Sequence, residues 1–131
     1  MTMPKGTYWV GDLCYVLHDE QWDEVCNWMF SEDIDGHGGE FTLSCGTKIA
    51  MYGTRWGDGT YSDTSGREYP VDSGSLGCVL AECVDPSTSG NVISFRDDFT
   101  TEITGSDGEI VRFGHVRINT GDFEDEYPND Y

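Results

Sequence analysis

The chain is poor in positive charge: 7 Lys and Arg stand against 25 Asp and Glu in 131 residues, a formal net charge of -18. A surface so short of bases repels nucleic-acid phosphates and acidic lipid, so direct binding to either is excluded. No apolar run approaches the roughly 18 residues that a membrane span needs. Met1-Thr2-Met3-Pro4-Lys5-Gly6 carries no apolar stretch of the export-signal kind, so a cytoplasmic protein is expected. Catalytic signatures are missing as well: no G-x-S-x-G, no P-loop and no G-x-G-x-x-G after a strand. Neither C-x-x-C nor H-x-x-x-H spacing occurs, which leaves no local metal motif.

Five cysteines are present, an odd number, and without an export signal they read as reduced thiols, each expected as a small buried apolar residue. Asp12, Cys14 and His18 are close in sequence, but Cys14 adjoins the apolar Tyr15-Val16-Leu17, which predicts an inert thiol. Asp33-Ile34-Asp35-Gly36-His37-Gly38 matches part of a calcium loop, yet position twelve is Ser44 where a bidentate Glu is required. The expectation is a protein that is not an enzyme and holds no cofactor or metal, with a weak hydrolase built on an assembled Cys/His site as a distant alternative.

Only one segment has helical periodicity. Trp22, Val25, Cys26, Met29 and Phe30 make a single apolar stripe after Asp19, a candidate cap, and predict a helix over 19–30. The remainder reads as short strands punctuated by Gly, Asp and Ser, at 7–10, 14–17, 40–44, 47–54, 60–63, 67–71, 76–84, 92–96, 99–104 and 109–119. The 76–84 segment is apolar on both alternating faces and suits a central strand with one side under the helix. The fold class expected is α+β: one curled antiparallel sheet of about seven or more strands with a packed helix, or alternatively a β-sandwich or partly open barrel. Residues 1–121 are expected to form a single β-rich domain and residues 122–131 an acidic mobile tail. Without the five tail acids the body keeps 20 acids against 7 bases, so it is acidic in its own right.

That excess exceeds what solubility needs. Adaptation to high salt is one explanation, and five Arg to two Lys suits it. Imitation of a phosphate backbone is the other. Helical acids three or four positions apart lie about 5–6 Å from each other. Glu20, Asp23 and Glu24, with Asp33 and Asp35 from the following loop and Asp97 and Asp98 from a second cluster, are the candidate phosphate surrogates. Two Gly-rich aromatic stretches, 52–61 and 69–77, supply Trp56 and Tyr61 as candidate anchors, or a loop rim that holds a small molecule.

Tyr8-Trp9-Val10-Gly11-Asp12-Leu13-Cys14-Tyr15-Val16, Trp22-Asp23-Glu24-Val25-Cys26 and Tyr69-Pro70-Val71-Asp72-Ser73-Gly74 together resemble small acidic proteins of bacteriophages and prophages with no assigned function. The resemblance implies a context and no catalytic residue. Small phage proteins of large negative charge are often inhibitors of host defence, including DNA-mimicking anti-restriction and anti-CRISPR proteins. The function expected is therefore a phage-type inhibitor that uses acidic DNA mimicry against a basic nucleic-acid-binding host protein. A small-molecule-binding or sequestering protein is the alternative.

Overall fold

The computed structural model describes residues 2–29, 38–54, 59–85, 87–104 and 109–120. The helix α1 runs over Asp19–Met29, and Phe30 lies outside the described residues. His18, and not Asp19, stands at the cap: its carbonyl accepts from the Trp22 amide at 2.9 Å, and the Gln21 side-chain oxygen accepts from the His18 amide at 3.3 Å. Asp19 and Glu20 fill the first turn, where the helix dipole favours negative charge.

Among the described residues ten strands follow the alternation and turn signals: β1 (Gly6–Gly11), β2 (Gly38–Thr42), β3 (Lys48–Gly53), β4 (Gly59–Asp63), β5 (Glu68–Val71), β6 (Ser75–Leu80), β7 (Asn91–Phe95), β8 (Thr101–Thr104), β9 (Ile110–Phe113) and β10 (Val116–Asn119). They form two five-stranded antiparallel sheets, ordered β2-β3-β6-β1-β7 and β5-β4-β10-β9-β8. This corrects the expectation of one curled sheet or a partly open barrel, since neither sheet curls or closes. The physical reason is a division of apolar faces. Tyr8, Val10, Tyr52, Leu76, Cys78 and Phe95 of the first sheet share one core with Tyr61, Tyr69, Val111, Phe113 and Ile118 of the second. Alternate residues Trp9, Ile49, Met51 and Val79 point the other way and pack with Leu13, Val25 and Leu43 under α1. Among the described residues the first sheet is thus covered on both faces and the second on one. As expected, β6 is a central strand, with Leu76 and Cys78 toward the second sheet and Val79 toward the helix side.

Three predicted strands are broken. Residues 14–17 do not extend; Leu13–Tyr15 is a 3₁₀ turn, because the Asp12 carboxylate accepts from the Cys14 amide at 3.0 Å and Leu13 turns into the helix-side core. The 76–84 segment leaves the sheet after Leu80 through a second 3₁₀ turn, Ala81–Cys83. The 109–119 segment folds into the β9–β10 hairpin at Gly114, whose φ of +58° places it in the left-handed region that glycine tolerates. A chain of side chains joins facing sheet edges: the Tyr52 and Thr101 hydroxyls lie 2.7 Å apart, and Thr101 donates to Glu40 at 3.1 Å.

Candidate functional site

The acids expected to act together do not all meet. Glu20, Asp23 and Glu24 lie on α1, which packs over β2 and β3: Val25 joins Leu43 and Ile49, and Trp28 stacks on Phe41 at 4.8 Å. Asp97 and Asp98 follow β7, at the opposite edge of the same sheet, three to four strand spacings or roughly 14–19 Å across it. Asp98 accepts from the Lys5 amide at 2.9 Å, so it closes the start of β1. Tyr61, expected as an exposed anchor, is 2% exposed and belongs to the core between the sheets. Asp33, Asp35 and Trp56 lie outside the described residues, as does the tail at 122–131.

A different partner joins α1. The 3₁₀ turn Ala81–Cys83 and the segment after it lie on the same outer face of the first sheet, where Val84 packs with Trp9 and Val79. The layer made by residues 13–29 and 81–90 carries Asp19, Glu20, Asp23, Glu24, Glu82 and Asp85 and no Lys or Arg. All are exposed except Glu24, which is half-buried and accepts from the Ser44 amide at 2.9 Å and hydroxyl at 3.1 Å. Asp85 accepts from the Ser87 amide and hydroxyl, and these bonds hold its carboxyl below the usual range, so it stays ionised. The described bases stand elsewhere, and three are paired: Lys48 with Glu40 at 3.5 Å, Arg67 with Asp63 at 3.0 Å and Arg112 with Glu102 at 2.7 Å.

Beside this layer lies a cavity of about 460 Å³, lined by Trp9, Asp12, Tyr15, Tyr69, Pro70 and Gly90 among others. Its wall is built by Asp12, which is fully buried. One carboxylate oxygen accepts from the Cys14 amide and the Ser73 hydroxyl at 2.8 Å, and the other accepts from the Asp72 and Ser73 amides at 2.7 Å each. Two of the three segments that carry the resemblance therefore meet through one side chain. Tyr15 donates to Asp72 at the rim, and this bond pushes its hydroxyl up to about 12. At the back, Trp9 donates to the Ser89 carbonyl at 3.3 Å and lies flat against Gly90, where a Cβ would meet its ring nitrogen at 2.4 Å. Glycine is required there by close approach.

The second buried acid, Asp63, works in the same way. Burial opposes its ionisation, but the Tyr69 hydroxyl, the Arg67 amide and guanidinium and the Ser65 amide outweigh burial and hold it below the usual carboxylate range. Both buried carboxylates thus have each oxygen committed to donors. Among the described residues no group of three or more His, Cys, Asp or Glu is placed to hold a metal ion, and no helix is long and apolar enough to cross a membrane.

The joining of Glu82 and Asp85 to the α1 acids was not visible in the sequence, because the 76–84 segment reads as one strand. Its only warning is the run Asp85-Pro86-Ser87-Thr88-Ser89-Gly90, whose turn-forming residues favour an early exit from the sheet. No protein-family model, no curated protein and no solved structure matches this chain.

Proposed function

We propose that this chain is a non-enzymatic, phage-type inhibitor acting in the host cytoplasm. It occupies the nucleic-acid-binding groove of a host defence protein, such as a restriction or CRISPR nuclease complex, by acidic mimicry of DNA. The observation that carries this reading is the segregation of charge: six acids and no Lys or Arg in the layer over the first sheet. Asp19 with Asp23 and Glu20 with Glu24 are one helical turn apart, and Glu82 and Asp85 flank Val84, which packs in the same cluster as the helix. A groove that gains its affinity from phosphates is attracted to such an array. The contact face in this reading is built without Asp97 and Asp98, which follow β7 at the far edge of the sheet.

The test is capture from a bacterial lysate on the immobilised full chain. A mimic retains a nucleic-acid-binding protein that duplex DNA displaces. Between about 50 and 200 mM salt, affinity falls roughly a thousandfold, as for a surface making six or more charge contacts. Reversing Asp23 and Glu24 to Lys abolishes capture. Capture that is indifferent to salt, to competing DNA or to that reversal overturns the reading, as does no partner at either salt.

A second reading, sequestration of a small molecule, is favoured by the 460 Å³ cavity, which falls in the size range of small-ligand sites. It predicts a ligand that survives purification and is lost in Gly90→Leu, with no dependence on Asp23 or Glu24.

A further inference from the structure

The cysteines depart from the expectation that each is buried: Cys78 is, Cys14 and Cys26 are half-buried, and Cys45 and Cys83 are exposed. The exposed pair converges. Cys45 lies in the turn between β2 and β3, where the Leu43 amide bonds to the Thr47 carbonyl at 2.8 Å. Cys83 ends the 3₁₀ turn after β6. The Cys45 sulfur lies 3.5 Å from the Thr47 hydroxyl oxygen and the Cys83 sulfur 3.8 Å from that same atom. Gln21 of α1 directs its side-chain amide at the Cys45 sulfur from 3.7 Å. Two thiols from distant parts of the chain therefore flank one hydroxyl at the surface, within reach of a small oxidant.

We propose that Cys45 and Cys83 are a redox modification site, oxidised by a hydroperoxide to an intramolecular disulfide. The Cys45 thiolate attacks the terminal peroxide oxygen; an S–O bond forms, the O–O bond breaks, and the departing hydroxide or alkoxide takes a proton and leaves as water or alcohol. The Cys83 sulfur then attacks the Cys45 sulfenic acid. An S–S bond forms, the S–O bond breaks, and the Cys83 proton departs with the hydroxyl as a second water. The two sulfurs lose two electrons and the peroxide gains them.

Selectivity follows from surroundings. The Thr47 hydroxyl and amide hold the Cys45 thiol below its ordinary value, which favours the reactive thiolate. Burial pushes the Cys78 thiol up, and burial with the Asp23 charge does the same to Cys26. The bond would tie the β2–β3 turn to the Ala81–Cys83 turn of the acidic layer. The site stands whether or not that layer meets a basic partner.

The experiment treats the reduced full chain with hydrogen peroxide, then counts free thiols by alkylation in denaturant and reads the intact mass. The wild type loses two of its five labels and about 2 Da, both restored by a reductant. Cys45→Ser and Cys83→Ser each abolish the loss of two labels, and Cys26→Ser keeps it. A label count that does not fall by two, a disulfide that survives in either exposed-cysteine variant, or conversion of Cys45 straight to sulfinic acid overturns the proposal.

Discussion

The two outward layers of the molecule treat their acids in opposite ways. In the second sheet, Asp63 is bound by Arg67, Tyr69 and backbone amides, and Glu102 meets Arg112 directly across β8 and β9. In the layer over the first sheet, Asp19, Glu20, Asp23 and Glu82 are exposed, with no Lys or Arg in the layer to answer them. Charge in the first case is structural, since it satisfies donors that the fold would otherwise bury unpaired. Charge in the second is available to something outside the chain. A net charge of -18 therefore conceals two populations of carboxylate, one committed to contacts within the fold and one facing solvent.

The comparison breaks first at Asp63. Asp63→Ala strands a buried hydroxyl, two amides and a guanidinium, and is expected to cost about 3 kcal/mol in urea unfolding at neutral pH. The pH dependence has a definite sign. The folded carboxyl ionises below its unfolded value of about 3.9, so its contribution is complete above about pH 5 and is lost as pH falls through 4 toward the folded value. Wild type and Asp63→Ala should converge in stability below that window; a constant gap would show that packing, and not the carboxylate, sets the difference. Glu24 is intermediate, since it belongs to the acidic layer yet holds the Ser44 amide and hydroxyl. Glu24→Ala is expected to lose about 1 kcal/mol by the same measurement. Glu102→Ala should lose under about 1 kcal/mol, since the Glu102 side chain is 48% exposed and water screens its pair with Arg112.

How much of this was legible in the sequence differs between the layers for a physical reason. Among the described residues the second sheet is covered on one face only, so β4, β5 and β10 alternate buried and exposed residues, and Tyr69, Val116 and Ile118 mark the inward side directly, while Tyr61, expected as an exposed anchor, shares that inward alternation. In the first sheet both faces are covered, and runs such as Ser75–Leu80 identify a central strand without saying what lies on each face. The helix was plain from its stripe. The division into two sheets was not, because strand pairing depends on contacts between distant segments that periodicity does not encode. Asp12 is the sharpest case. Beside Cys14 and His18 it resembles a fragment of catalytic machinery, whereas its four donors come mainly from Asp72 and Ser73, some sixty residues on. Separation along the chain also hid the meeting of Cys45 with Cys83, which shows only once Thr47 stands between two turns that read as a hairpin and a strand end.

The smallest expected effect is also the one that separates the two populations most cleanly. Asp23 is exposed, sits one helical turn from Asp19 and three residues from Glu20, and shares its layer with no Lys or Arg. Like charges at that spacing repel by a few tenths of a kcal/mol. Asp23→Asn should therefore leave stability within about 0.5 kcal/mol of wild type, with any change toward greater stability. Urea unfolding of this variant beside Asp63→Ala is the direct measurement. A loss above about 1 kcal/mol would mean that Asp23 serves the fold, and the contrast between the layers would fail. A neutral result leaves a carboxylate that costs the fold a little repulsion and serves no contact within it, in contrast to Asp63.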